Sequence, residues 1–187
     1  MIIAIHNTKG GVGSTMLAAH ICVLARDLGL TVDAVSADPT QELPRWLSPL
    51  EIRCLDPESL DRPASEDDGE LLVIDVQTAS SPPIEPDVWL VPISDSFALE
   101  HAKALTDRLR GDVFWIPMMG YEVTVPAHLE EVELLSAVPY SRAIAKAASE
   151  QGTVWSMPGL AVTPGAQALR ESLTQLLSAT SGSRTPA

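Results

Sequence analysis

Seven consecutive residues near the start of the chain have the types and spacing to hold a phosphate group. The segment reads Lys-Gly-Gly-Val-Gly-Ser-Thr and follows a short apolar run. Glycines at these spacings let the backbone bend so that successive N–H groups face inward, and an anion fits in that concavity at the start of a helix. We therefore predict a phosphate-binding loop made of Lys9, Gly10, Gly11, Val12, Gly13, Ser14 and Thr15.

The loop departs at two positions from the general phosphate-loop pattern, G-x-x-x-x-G-K-[ST]. Thr8 replaces the first glycine, and Ser14 stands where the pattern has a lysine that reaches the phosphates. Losing a hydrogen bond to a charged group costs about 1.5–3 kcal/mol, so nucleotide affinity should fall about ten- to a hundredfold unless another group substitutes. Glycine-rich turns also occur in α/β proteins without any ligand, so the loop needs support from other residues.

Two aspartates that follow strand-like runs have the chemistry to complete the site. Asp75 ends the aliphatic run Leu71–Ile74, the form of a Walker B strand whose carboxylate stabilises Mg²⁺. Asp38 follows the run Thr31–Ala37, where a carboxylate can hold a Mg²⁺-bound water or orient an attacking water; its alternative role is a turn or a helix cap. We predict Mg²⁺ ligation, partly through water, by Thr15, Asp38 and Asp75, and a catalytic role for Asp38.

The elements that position these residues alternate between strands and helices. Apolar runs predict strands at Ile2–His6, Thr31–Ala37, Ile52–Leu55, Leu71–Asp75, Asp87–Ile93 and Val113–Pro117. Helical spacing of apolar residues predicts helices at Met16–Leu28, Gln41–Leu47, Ser96–Leu109 and Gly165–Leu177. This order is typical of an α/β fold with a mostly parallel sheet and helices on both faces, with ligands beyond the carboxyl ends of the strands. We expect one domain over residues 1–177 and a disordered tail over 178–187.

The net charge of the chain bears on which partners it can attract electrostatically. The 187 residues carry a formal net charge of −13, which disfavours nonspecific DNA and anionic membranes as partners. The chain opens as a strand without a signal-peptide pattern, and no apolar run approaches about 18 residues, so we expect a cytoplasmic protein without membrane contact. The two cysteines, Cys22 and Cys54, have no metal-ligand spacing and should be small core residues.

The arrangement Lys-Gly-Gly-Val-Gly-x-Thr directly after the first strand resembles the deviant phosphate loop of the ParA/MinD family of partitioning and positioning ATPases. Six of the seven positions of the family's K-G-G-x-G-K-T core are matched. The resemblance implies a phosphate-loop NTPase that binds ATP and Mg²⁺, forms a homodimer on ATP binding, and works with a ParB-like or other adaptor protein. It also implies that Lys9 is the signature lysine, a catalytic residue that reaches across a face-to-face dimer to the partner's nucleotide.

This sequence departs from the family pattern at several site positions. Ser14 replaces the lysine that contacts the β- and γ-phosphates within one subunit. In the family's Asp-x-Asp-Pro-Gln turn, Asp38 is matched, whereas Ser36 replaces the first aspartate and Thr40 the glutamine. The residues after Pro117 offer no asparagine of the kind that helps many relatives recognise adenine.

Two functions follow from this mixture of matches and departures. The first is an ATP-dependent switch that dimerises to segregate or position DNA or another cargo, with weak hydrolysis because of Ser14. The second is a degenerate, non-hydrolysing relative that acts as a scaffold through protein contacts.

Two further observations bear on partners and on a third function. Arg142 and Lys146, four residues apart on a predicted helix, could face phosphate, DNA or a partner, or could be ordinary solvated cations. A dinucleotide-dependent dehydrogenase is disfavoured, since the glycine spacing is not G-x-G-x-x-G.

Overall fold

The computed structural model describes residues 1–6, 8–37, 42–60, 70–76 and 81–182. Within them lie seven strands: β1 Ile2–His6, β2 Thr31–Ser36, β3 Cys54–Leu55, β4 Glu70–Val76, β5 Val88–Ile93, β6 Asp112–Pro117 and β7 Val132–Leu134. The five α-helices are α1 Ser14–Asp27, α2 Glu42–Leu47, α3 Ser96–Thr106, α4 Arg142–Ser149 and α5 Pro164–Gly182. All strands pair in parallel in the order β3-β2-β4-β1-β5-β6-β7, which confirms the predicted α/β architecture.

The two faces of the sheet bury separate cores because side chains alternate along each strand. Ile3 and Ile5 of β1 pack beneath α1, α2, α4 and α5. Ile2 and Ala4 belong to the opposite core, which α3 covers. Helices therefore lie on both faces, as predicted, and β1 is buried along its whole length in the middle of the sheet.

Several element boundaries differ from the prediction. The strand β7 was not predicted, and β3 is limited to two residues of the predicted run Ile52–Leu55. The helix α5 runs to Gly182, so the prediction of a disordered tail from residue 178 is wrong for the first five of its residues. Thr180 in this added turn is buried, and its hydroxyl donates to the carbonyl of Leu176 at 3.1 Å, so the turn packs against the rest of the protein. Residues 183–187 of the predicted tail lie outside the described part of the chain.

A buried histidine ties α1 to the segment that precedes α5. The Nδ1–H of His20 donates to the carbonyl of Met16 at 2.7 Å, and Nε2 accepts from the backbone N–H of Val154 at 3.0 Å. The ring of Trp155 meets the imidazole edge to face, with 4.9 Å between centroids. Burial lowers the pKa of His20 to about 4, although the bond to Met16 opposes this shift. His20 is therefore a neutral, fully hydrogen-bonded structural residue at neutral pH.

Candidate functional site

The glycine-rich loop joins the carboxyl end of β1 to the first turn of α1. Gly11 and Gly13 have φ values of 79° and 94°, in the left-handed region that side chains rarely adopt. Gly13 caps α1, and its carbonyl accepts the N–H of Leu17 at 2.9 Å, so the helix begins at Ser14. The glycines thus allow the backbone turn that leads directly into the N-terminus of α1. The unpaired N–H groups at a helix N-terminus make binding of an anion favourable.

The loop is anchored on its inner side and open on its outer side. Thr8 is buried, its hydroxyl donates to the carbonyl of Pro92 at 3.4 Å, and its own carbonyl accepts from Nδ1 of His101 at 3.0 Å. A Cβ atom added at Gly10 or at Gly11 would meet no atom within 4 Å. The loop is therefore held by a neighbouring strand and helix on one side, while its backbone at Gly10 and Gly11 is open on the other.

A threonine and an aspartate meet beside the loop. Asp75 lies near the carboxyl end of β4. This strand pairs in parallel with β1, where Ile5 is the register partner of Asp75. The hydroxyl of Thr15 donates to Oδ2 of Asp75 at 2.6 Å, and Asp75 is only 3% exposed. Both side chains offer oxygen atoms, the ligand type that Mg²⁺ prefers.

These two residues suit a magnesium ion that arrives with a phosphate ligand. No group of three or more His, Cys, Asp or Glu that could hold a metal occurs within the described residues. Mg²⁺ commonly binds through one or two protein oxygens and takes its remaining ligands from phosphates and water. Asp38, the third predicted ligand, and Thr40 lie outside the described residues.

Lys9 forms an ion pair within its own chain. Its Nζ donates to Oδ2 of Asp95, and the side chains are 32% and 41% exposed, respectively. Oδ1 of Asp95 accepts the N–H of Ala98 at 2.9 Å and so caps α3. The hydrogen bond from Lys9, helped by that from Ala98, holds the pKa of Asp95 below its usual range. The lysine predicted to act at a nucleotide is therefore bound to a carboxylate in the single chain.

Asp95 is a functional candidate that the sequence reasoning did not identify. The sequence carried one signal for it, an aspartate immediately before a predicted helix, which is typical of an N-cap. Its contact with Lys9, 86 residues away, depends on the sheet order, because β5 lies next to β1. Sequence spacing alone does not show such a pair.

The structure places the remaining predicted residues as follows. Ser14 is buried in the first turn of α1, so a short hydroxyl occupies the position where the general pattern has a lysine. Arg142 and Lys146 lie on α4, as predicted, and Nζ of Lys146 is 3.9 Å from Oε1 of Glu150 on the next turn. Lys146 is therefore partly neutralised at the protein surface, which favours the ordinary interpretation of this cation.

Comparison with known proteins gives one family and a consistent fold. The family model described as "CobQ/CobB/MinD/ParA nucleotide binding domain" matches residues 3–154. No curated protein matches the sequence. The structure of the cell division protein MinD from Aquifex aeolicus is similar, with a TM-score of 0.71, 16% identity, and coverage of 99% of this chain and 98% of that chain.

Two further similar structures contain nucleotides. A McdA–ATP complex from Cyanothece has a TM-score of 0.60 and 12% identity, and the match covers 100% of this chain and 98% of that chain. A plasmid partition protein from Borrelia burgdorferi bound to AMPPNP has a TM-score of 0.59 and 13% identity, with coverage of 95% and 98%. At these identities the likeness shows a shared fold. Among the described residues, no helix combines the length and apolar character needed to cross a membrane.

Proposed function

Because the chain belongs to the CobQ/CobB/MinD/ParA nucleotide-binding family, we propose that it is a nucleotide-dependent partitioning or positioning protein. In this proposal it binds ATP with Mg²⁺, pairs with a second copy of itself, and releases its cargo or adaptor when the nucleotide is lost. The observation that carries the proposal is the open glycine loop beside the Thr15–Asp75 pair. A bent row of backbone N–H groups and two magnesium-type oxygens lie together at the carboxyl edge of the sheet.

Each site residue has a distinct role in this proposal. The backbone of residues 10–15 holds the phosphates, and Thr15 with Asp75 holds Mg²⁺, assisted by Asp38 through water. Bound Mg²⁺ would neutralise charge on the phosphates. Ser14 supplies a hydroxyl in place of a cation, so affinity and hydrolysis are weak, and the hydrolysis step depends on Asp38 and on Lys9.

In this proposal, the Lys9–Asp95 ion pair is the contact that changes when the protein dimerises. In the single chain, the ammonium group of Lys9 forms an ion pair with the carboxylate of Asp95. A phosphate presented by a second copy competes for the same ammonium group and carries more negative charge. Because both side chains are about one-third or more exposed, the pair is weak enough to exchange. Lys9 can therefore exchange from Asp95 to the phosphate when a nucleotide-loaded partner is present.

The charge of the protein bears on the surface that it engages. A net charge of −13 disfavours unaided binding to DNA or to an anionic membrane. A ParB-like or other adaptor protein is therefore the proposed link to the cargo, and the proposed location is the cytoplasm. The MinC–MinD complex of Aquifex aeolicus is an example of a similar structure with a protein partner.

Light scattering tests the switch directly. The chain should be monomeric alone and dimeric with a non-hydrolysable ATP analogue and Mg²⁺, whereas Lys9→Ala should bind nucleotide and stay monomeric. The matched control is Lys103→Ala, which removes a lysine that is about as exposed as Lys9 and is paired with Glu100, and which should dimerise like the intact chain. A molecular mass that does not respond to nucleotide would overturn the proposal of a switch.

The scaffold alternative is favoured by one specific observation, the loss of the loop lysine at Ser14. In that case, the same dimer forms with nucleotide but no phosphate is released from ATP. Measuring phosphate release by the intact chain over hours separates the two functions. Release above that of an Asp75→Asn control identifies a weak ATPase, and equal release identifies a scaffold.

A further inference from the structure

A buried hydroxyl next to the candidate site has no hydrogen-bond partner. Ser36, the last residue of β2, is 3% exposed, and its Oγ atom has no partner within the described part of the chain. Burying a hydroxyl without a partner costs free energy, and most buried polar side chains in native proteins avoid this cost. An orphaned hydroxyl at a ligand site therefore calls for an explanation.

The sheet register places the Ser36 side chain on the same face of the sheet as Asp75. Ser36 is the partner of Asp75 across the parallel pair of β2 and β4. Ala34 packs in the core beneath α1, and Val35 packs in the opposite core, so alternation returns Ser36 to the α1 face. Asp75 also faces α1, because its carboxylate accepts the hydroxyl of Thr15 in the first part of that helix. The three polar side chains thus share one face at the carboxyl edge of the sheet.

The position of Ser36 differs from that of the other orphaned hydroxyl. Among the described residues, Ser172 of α5 is the second buried side chain without a partner. Two residues away, Arg170 of α5 lies 3.5 Å from Asp27, the last residue of α1, and therefore reaches the C-terminal end of that helix. Ser36, in contrast, is paired in register with Asp75 at the carboxyl edge of the sheet.

We propose that Ser36 is a positioning residue for magnesium, whose hydroxyl hydrogen-bonds a water molecule carried by the Mg²⁺ that accompanies the nucleotide. The inference rests on the proposed function, because it requires Mg²⁺ with a nucleotide beside Thr15 and Asp75. Mg²⁺ keeps several of its waters when it binds to proteins, and those waters need acceptors or donors from the surrounding residues. Ser36 has a free hydroxyl on the correct face, and binding removes the cost of its burial.

Isothermal titration with ADP, in Mg²⁺ and separately in EDTA, tests this role. We expect Ser36→Ala to lower affinity about three- to tenfold in Mg²⁺, since one neutral hydrogen bond is lost, and to leave affinity in EDTA unchanged. Ser36→Thr keeps the hydroxyl and should retain the affinity of the intact chain in Mg²⁺ within about twofold. Ser172→Ala, the matched control, should change neither affinity.

A second measurement separates this role from a merely structural one. The Tm of nucleotide-free Ser36→Ala should be no lower than that of the intact chain, because the substitution removes a buried, unpaired hydroxyl. Equal losses of affinity in Mg²⁺ and in EDTA, or no loss in either, would overturn the role of Ser36 while leaving the proposed function in place. If the intact chain binds no nucleotide in Mg²⁺, the proposed function fails and the inference fails with it.

Discussion

The middle of α1 and its N-terminal end differ in how their buried polar groups are hydrogen-bonded. In the middle of the helix, His20 is fully buried, and both of its ring nitrogens have backbone partners. At the N-terminal end, the loop over Gly10 and Gly11 is open, and the hydroxyl of Ser36 on the facing sheet has no partner. A satisfied network stabilises the fold, whereas an unsatisfied one is expected where a ligand completes it.

This difference implies that stability and nucleotide binding depend on separate residues. Changes around His20 should lower the free energy of unfolding and leave the affinity of the folded protein for nucleotide unchanged. Changes at Ser14 should instead alter nucleotide affinity, because Ser14 begins α1 at the end of the glycine loop. Changes at the partly exposed Asp95 should alter dimerisation with little effect on stability. The predictions below test this separation, beginning with the largest expected effect.

Replacing His20 by leucine should have the largest effect on stability. The substitution leaves the N–H of Val154 without its acceptor and removes the ring contact with Trp155, so we expect a loss of about 3–4 kcal/mol in the free energy of unfolding. Urea unfolding at pH 7 measures this loss. The exposed His128 is the matched control, and its replacement by leucine should change stability by less than about 0.5 kcal/mol. Similar losses from both variants would contradict the structural role of His20.

Acid should destabilise the intact chain through the same histidine. The pKa of His20 falls from an ordinary 6.5 to about 4 on folding, so the unfolded chain binds more protons between these pH values. Stability should therefore decrease as the pH falls from 6.5 to 4, with about 3 kcal/mol of the loss due to His20. Urea unfolding of the intact chain and of His20→Leu at pH 7 and pH 4.5 isolates this contribution. Equal pH dependence in both proteins would show that His20 does not titrate as proposed.

Restoring the missing lysine should strengthen nucleotide binding. Ser14→Lys places an ammonium group at the loop position that the general pattern reserves for phosphate contact, so affinity for an ATP analogue in Mg²⁺ should rise about ten- to a hundredfold. Calorimetric titration measures the gain, and phosphate release shows whether hydrolysis also rises. Unchanged affinity in a folded variant would mean that more than this one residue limits the site.

Removing the charge of Asp95, and so freeing Lys9 from its ion pair, should have the smallest effect of these changes. Asp95→Asn removes the charge that holds Lys9 but keeps an oxygen to cap α3, so the helix should remain intact. We expect analogue-induced dimerisation to occur at about three- to tenfold lower protein concentration, because Lys9 no longer has to leave a carboxylate. Sedimentation at several protein concentrations measures the change, and raising the salt concentration should reduce the difference between the two proteins. Weaker dimerisation of the variant would indicate that Asp95 supports the dimer.

The sequence was sufficient to predict the central strands and the loop, because both depend on local patterns. The buried run at Ile2–His6 and the glycines that follow it determine their own conformation. The strand β7 could not be predicted, since Val132–Leu134 is only three residues long and two of them are exposed. The end of α5 was missed because its polar composition hides the burial of Thr180.

The contacts that give the site its detail are between residues far apart in the sequence. Lys9 meets Asp95 across 86 residues, and His20 meets Val154 across 134 residues. Both contacts depend on which elements pack together, and neither has a signature in local spacing. The matches at Thr15 and Asp75 were predicted as a shared metal site, and the structure places their side chains 2.6 Å apart, although their binding of a metal remains a prediction.

The central claim is that the glycine loop binds a nucleoside triphosphate although Ser14 stands where the general phosphate-loop pattern has a lysine. Calorimetric titration of the intact chain with a non-hydrolysable ATP analogue, with and without Mg²⁺, tests this claim most directly. We predict saturable binding in Mg²⁺ with a Kd below about 1 mM, and weaker binding in EDTA. No binding at millimolar analogue in the presence of Mg²⁺ would contradict the account and leave only the shared fold.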